Sequence, residues 1–276
     1  MRHPPARATL AGAILAIIVL AAAVGPLLWP IDPTETRLLA RLRPPVFAGG
    51  DWAHPLGTDQ LGRDILARLL HGARISLLVS VTATIVGGSV GTLAGLAAGF
   101  AHGRPIDQLV TFLVDLQLAL PFILLAIAAA LVFGSSLPVL IALGSLAAWP
   151  AYARVARGVA MSLREREFVL AAHALGGRDT HVMVRHLLPN LAAPIAVLAT
   201  LGLGNLILFE SALGFLGIGI KPPAPSWGTM IGEGREYLSR AWWLATVPGM
   251  ALVLVTVSVG VLGDAFRDRL DVRTEP

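Results

Sequence analysis

Cysteine does not occur among the 276 residues, so neither a disulfide framework nor a thiolate metal or redox site is available. Lysine occurs once, at Lys221 between Ile220 and Pro222, and no Gly-x4-Gly-Lys-Ser/Thr loop surrounds it; a nucleotide cradle of backbone amides and a phosphate-binding lysine is missing. Charge is scarce: 14% of residues are Asp, Glu, Lys or Arg, against about a quarter in a soluble domain. The basic residues form no block of like charge, which argues against nucleic acid as a partner. His173, His181 and His186 share one polar stretch without carboxylates at metal-ligand spacing, so no metal site is expected. No nucleophile, base and acid cluster together, and no enzyme is expected.

What the chain has is apolar residues, 55% of the total, in long runs. A helix needs roughly 20 residues to cross about 30 Å of hydrocarbon. Six runs are assigned as spans: residues 10–29, 75–101, 109–133, 137–153, 191–220 and 242–262. The first is too long for the apolar region of a cleaved signal peptide and reads as an anchor. Six spans put both termini on one side. With both inside, twelve of the 21 basic residues are cytoplasmic, including Arg2, Arg7, Arg104 and Arg273, which favours that orientation. The Trp242-Trp243 pair is expected as an interfacial anchor.

Two outer loops carry helical patterns. In residues 57–77, Leu61, Ile65 and Leu69 recur at i+4 while Asp59/Arg63 and Asp64/Arg68 pair at the same spacing, predicting an amphipathic surface helix with a solvated polar edge. In residues 228–243, Met230, Ile231, Gly234, Tyr237 and Leu238 form a stripe expected to cap the outer mouth.

Within the spans, Gly87, Gly91, Gly95 and Gly99 make three overlapping small-x-x-x-small units, a helix-packing stripe whose partner lies in this chain or another. Asp115 and Glu210 are acids in apolar runs; each needs a partner or water and is a candidate for the translocation path. Pro138 and Pro189 read as helix terminators, Pro121 and Pro248 as positions for a kink.

Residues 154–190 are too long and too charged for a plain connector. Phe168, Ala171, Ala172 and Leu175 fall on one narrow helical face that suits close docking. Gly176-Gly177 supplies a left-handed helix end, Asp179 or Thr180 can cap a second short helix, and Pro189 closes the segment. The pattern is helix, sharp turn, helix, built to dock a cytoplasmic partner.

"AAHALGGRDTHVMVRHLLPN" resembles the E-A-A…G…L-P loop of bacterial ATP-binding-cassette importer permeases. "HPLGTDQLGRDILARLLHGARISL", "ESALGFLGIGIKPPAPSWGTMI" and "LGDAFRDRLDVR" are similar to the dipeptide, oligopeptide and nickel branch, nearest its second permease subunit. The resemblance implies an all-α integral membrane protein with six transmembrane helices and the type I importer fold. It divides the chain into an anchor and extracytoplasmic loop (1–70), a permease domain (71–265) and a cytoplasmic tail (266–276). It also implies a bacterial inner-membrane location, a homologous second permease, two ATPase subunits holding ATP and Mg, with no cofactor in this chain, and an extracytoplasmic substrate-binding protein. By that analogy Glu167, Phe168, Leu170, Ala171, Ala172, Leu175, Gly176, Gly177, Asp179 and Pro189 form the ATPase-coupling segment. Leu170 stands where the family pattern has its first Glu, so any salt bridge from that Glu is absent or supplied by a neighbour such as Glu167.

Peptide is the expected cargo as the commonest of the branch; nickel, glutathione or a metal chelate are the alternatives. From other classes, an ion-coupled secondary transporter would use Asp115 and Glu210 as coupling sites, and a membrane scaffold would need the polar loop to be structural only.

Overall fold

A computed structural model describes residues 6–271; Arg2, Arg273 and the end of the tail, 272–276, lie outside them. The described residues fold as α1 (Ala6–Leu28), α2 (Ile65–Phe100), α3 (Pro105–Ala119), α4 (Phe122–Phe133), α5 (Leu137–Arg164), α6 (Glu167–Ala174), α7 (Asp179–Val182), α8 (Leu188–Phe215), α9 (Trp227–Gly234) and α10 (Trp243–Asp271), with no strand among them. Five helical runs are long and apolar enough to cross a membrane, and α3 with α4 makes a sixth bent by 89°. This is an all-α integral membrane protein.

Several helices outrun the apolar segments that announced them. The run ending at residue 153 continues as α5 to Arg164, so Arg154 and Arg157 are helical rather than loop residues. The run beginning at residue 75 starts at Ile65, so the boundary expected at residue 70 falls inside α2. The fifth run ends at Phe215 instead of residue 220, and the sixth extends past residue 262 to Asp271. Backbone hydrogen bonding continues past the lipid edge, where charged side chains reach water.

The prolines divide differently from expectation. Before Pro121, Leu120 takes an extended conformation (φ −103°, ψ 141°), because the proline ring disfavours the helical region for its predecessor, and the span breaks there. Pro248 and Pro194 are carried inside unbroken helices. Pro138 sits at the start of α5. Pro189 does not terminate: Met183–Leu187 forms a π-helical turn into α8, and helix runs from Asp179 to Phe215. Its missing donor falls where the hydrogen-bond register changes, so nothing is lost.

The expected amphipathic surface helix at 57–77 is absent. Gly57 and Gly62 take positive φ and interrupt it, while the Asp64 carboxylate accepts the Ala67 amide at 2.7 Å and starts α2. The charges expected on a solvated edge are buried: Asp59, Arg63, Asp64 and Arg68 are 1%, 6%, 2% and 2% exposed. Arg63 donates to Asp59 at 2.6 Å and to Glu233 at 2.7 Å; Arg68 donates to Glu233 at 2.9 Å and also to Asp59. Two guanidinium groups thus balance two carboxylates, joining the loop and the head of α2 to α9. Burial would raise the Glu233 pKa, but the Arg68 charge and hydrogen bond, with Arg63 and Gln60, hold it below its ordinary value.

Met230 and Gly234 on α9 are buried while Leu238, beyond its end, is exposed, so the expected stripe faces the bundle only in part. Of the tryptophan pair, Trp242 is exposed; Trp243 is buried and donates to the Thr58 carbonyl at 3.2 Å.

Candidate functional site

At one end of the bundle, α5 hands over to α6 and α7. Val169 (1% exposed) and Val182 (0%) insert among Leu96, Ala156, Ala160, Leu187 and Leu191, pinning both short helices to α2, α5 and α8. Phe168, Leu170, Ala171 and Leu175 are exposed, Leu175 to 89%, while Ala172 packs inward. The open face is therefore not the Phe168/Ala171/Ala172/Leu175 stripe read from the sequence; it is rotated to include Leu170 and to lose Ala172. Sequence reasoning missed the two valine anchors. Val169 and Ala172 at i, i+3 are the only local signal, and the cluster they join comes from distant helices.

The turn between α6 and α7 needs both glycines, for different reasons. Gly176 has φ +84°, a conformation that L side chains rarely adopt. Its amide donates to His173 at 2.9 Å and that of Gly177 to Ala172 at 3.0 Å, the paired bonds of a Schellman helix end. A Cβ on Gly177 would lie 2.7 Å from the Ala172 carbonyl oxygen. Asp179 lies in the first turn of α7, after Arg178 at the N-cap position, and neither it nor Thr180 is the cap. Glu167 is exposed in the first turn of α6, and Pro189 is exposed at the start of α8.

Two helices carry this end into the spans. Along α2, a Cβ on Gly87, Gly91, Gly95 or Gly99 would lie 2.4, 2.3, 2.2 and 2.4 Å from the carbonyl oxygens of Ser145, Trp149, Ala153 and Arg157 of α5. The partner helix lies in this chain, and successive turns of α5 sit against successive glycines. Along this stripe α2 and α5 are packed backbone to backbone.

The acids in the spans separate. Glu210 is 1% exposed, flanked by Ser76, Ser211 and Ser226, and neither of its oxygens completes a hydrogen bond. It is enclosed between α2, α8 and the start of α9 rather than on an open path. Asp115 pairs with Arg154 at 3.3 Å, both side chains 62% exposed. Nearer the α6 end, Asp107 is buried and bound by Arg157 at 2.5 Å and by His102 at 2.8 Å.

Residues 91–276 match the model of the binding-protein-dependent transport system inner membrane component, and residues 6–45 that of the N-terminal TM domain of oligopeptide transport permease C. The chain belongs to this permease family. The permease is 39% identical to the di/tripeptide transport system permease protein DppC of Pseudomonas aeruginosa over 92% of this chain and 84% of that one. It is 40% identical to the dipeptide transport system permease proteins DppC of Alkalihalophilus pseudofirmus (94% and 83% covered) and Escherichia coli (88% and 81%). A chain of the MetNI methionine ABC transporter, solved in inward-facing conformations, superposes with a TM-score of 0.58 at 20% identity, covering 73% of this permease and 95% of that chain. The fold is that of a type I importer permease.

Proposed function

We propose that this permease forms half of the translocation pathway of an ATP-driven importer for di- and oligopeptides. The other half is a homologous permease, and an extracytoplasmic binding protein delivers the cargo. ATP and Mg are held by two separate ATPase subunits; this chain has no catalytic role. Relatives named for dipeptide transport, alike over most of their length, support the cargo. The observation that carries the coupling role is the α6–α7 segment: it is pinned inward by Val169 and Val182 while Phe168, Leu170, Ala171 and Leu175 face outward.

An ATPase gripping that face on closing its dimer would move α6, α5 and, through the glycine stripe, α2, exchanging an inward-open for an outward-open path. Such alternating access is a two-state element biased by ligand contacts. Leu170, 58% exposed, puts an apolar side chain where the family pattern has Glu, so docking here relies more on packing and less on a salt bridge. Both termini and the α6–α7 end are placed in the cytoplasm, in keeping with the basic residues on that side.

The test is uptake into proteoliposomes holding the complete importer. ATP-dependent accumulation of a dipeptide supports the reading; accumulation of Ni²⁺ with no peptide uptake overturns the cargo.

A further inference from the structure

We infer that the Asp115–Arg154 pair is a peptide-terminus relay: Arg154 receives the carboxylate and Asp115 the ammonium of a zwitterionic peptide as it crosses. This rests on the peptide-importer reading above and adds to it the residues that meet the cargo's charges.

The pair is deep. Asp115 lies ten residues into α3 and Arg154 ten residues before the end of α5, about 15 Å from the α6 end of either helix at 1.5 Å per residue. Both residues therefore lie within helices assigned to the spans rather than at their ends. Both side chains are 62% exposed in the single chain. Charged groups inside a membrane face a water-filled cavity or the bundle interior, because hydrocarbon cannot solvate them. The open side of this pair therefore calls for water or a polar partner rather than hydrocarbon. Room exists beside it: nothing lies within 4 Å of a Cβ placed on Gly158, one turn along α5.

The neighbouring polar groups are already committed to one another. One turn toward the far end, the Trp149 indole donates to the Gln117 carbonyl at 2.7 Å and the Gln117 amide to the Leu146 carbonyl at 2.6 Å. On the other side, Asp107 and Arg157 are closed together, with the Asp107 carboxylate only 4% exposed. The Asp115–Arg154 contact is looser, a single nitrogen–oxygen approach of 3.3 Å where charge-assisted bonds run about 2.7–2.9 Å. A weakly held, exposed pair opens readily. A guanidinium fork matches a carboxylate, and a carboxylate accepts an ammonium. When a dipeptide displaces the internal contact, each charge swaps one partner for another and none is left bare. When it departs the pair recloses, so the site does not trap its cargo, as a path requires.

The absence of native cysteine makes Asp115→Cys and Arg154→Cys clean reporters in this chain. In the complete importer reconstituted in liposomes, both variants are expected to be modified by a membrane-impermeant methanethiosulfonate. Leu113→Cys, about 200° around α3 from Asp115, is expected to be spared. The Asp115→Asn/Arg154→Gln double variant should assemble with its partners, hydrolyse ATP, and lose alanyl-alanine uptake about tenfold, equivalent to about 1.4 kcal/mol. Failure of both cysteines to react, unchanged uptake by the double variant, or loss of permease pairing would each overturn the relay. Labelled cysteines in an importer whose parent form takes up no dipeptide would overturn the peptide reading, and the relay with it.

Discussion

Gly95 of α2 and Ala153 of α5 meet so closely that a Cβ on Gly95 would lie 2.2 Å from the Ala153 carbonyl oxygen. The obstacle is backbone, so no side-chain rotation relieves it. Gly95→Leu is expected to force the two helices apart at a cost of at least about 1–3 kcal/mol. Gly158→Ala meets nothing within 4 Å and is expected to be neutral or to stabilise by about 0.4–1 kcal/mol. Melting temperatures of the two variants in detergent check the contrast.

Val169 should matter through anchorage rather than docking. Val169→Asp places a carboxylate among Leu96, Ala156, Ala160 and Leu187, and should detach α6 from the bundle. The expected result is ATP hydrolysis that persists while uptake falls at least about tenfold, equivalent to about 1.4 kcal/mol. Parallel loss of both activities would mean that the variant fails to assemble.

At the far end, Arg68→Met leaves Asp59 buried with one guanidinium where there were two. Breaking a buried charge network by removing one partner costs about 3–5 kcal/mol. A fall in thermal stability of that order, without change in the cargo accepted, is the expected outcome; stability equal to the parent would show that the network contributes nothing.

The same network sets a pH dependence. Arg68 and its neighbours hold Glu233 below its ordinary value despite burial, so the folded protein binds that proton less readily than the unfolded chain. The stabilisation is fully present above the ordinary carboxylate value of about 4.3 and is lost as pH falls through the lower, folded value. Thermal stability should decline as the solution is acidified below about pH 5, and less steeply in Glu233→Gln.

Much of this architecture is legible in the chain. Run length announces the spans, a four-residue glycine period announces a close helix pair, and Gly176-Gly177 announces the turn. The limits were set by contacts distant in sequence. Asp59, Arg63 and Arg68 look like a solvated edge until Glu233, some 165 to 170 residues on, joins them in the interior. Arg154 looks like the first loop residue after a span because nothing local reveals Asp115 beside it. Pro121 and Pro248 sit in equally apolar runs, yet one breaks its helix and the other does not; no periodicity separates them. On α6 the pattern placed Phe168, Ala171 and Leu175 on the open face but not Leu170, and it counted Ala172, which packs inward beside Val169.

Gly176→Trp tests the central claim most directly, because it strains a residue at φ +84° in the exposed turn while leaving every span untouched. The measurement is ATP-driven dipeptide uptake by the reconstituted importer, at matched amounts of membrane-inserted permease. The account predicts insertion at the parent level and uptake abolished; normal uptake at normal expression would contradict it and remove the coupling role from the α6–α7 segment.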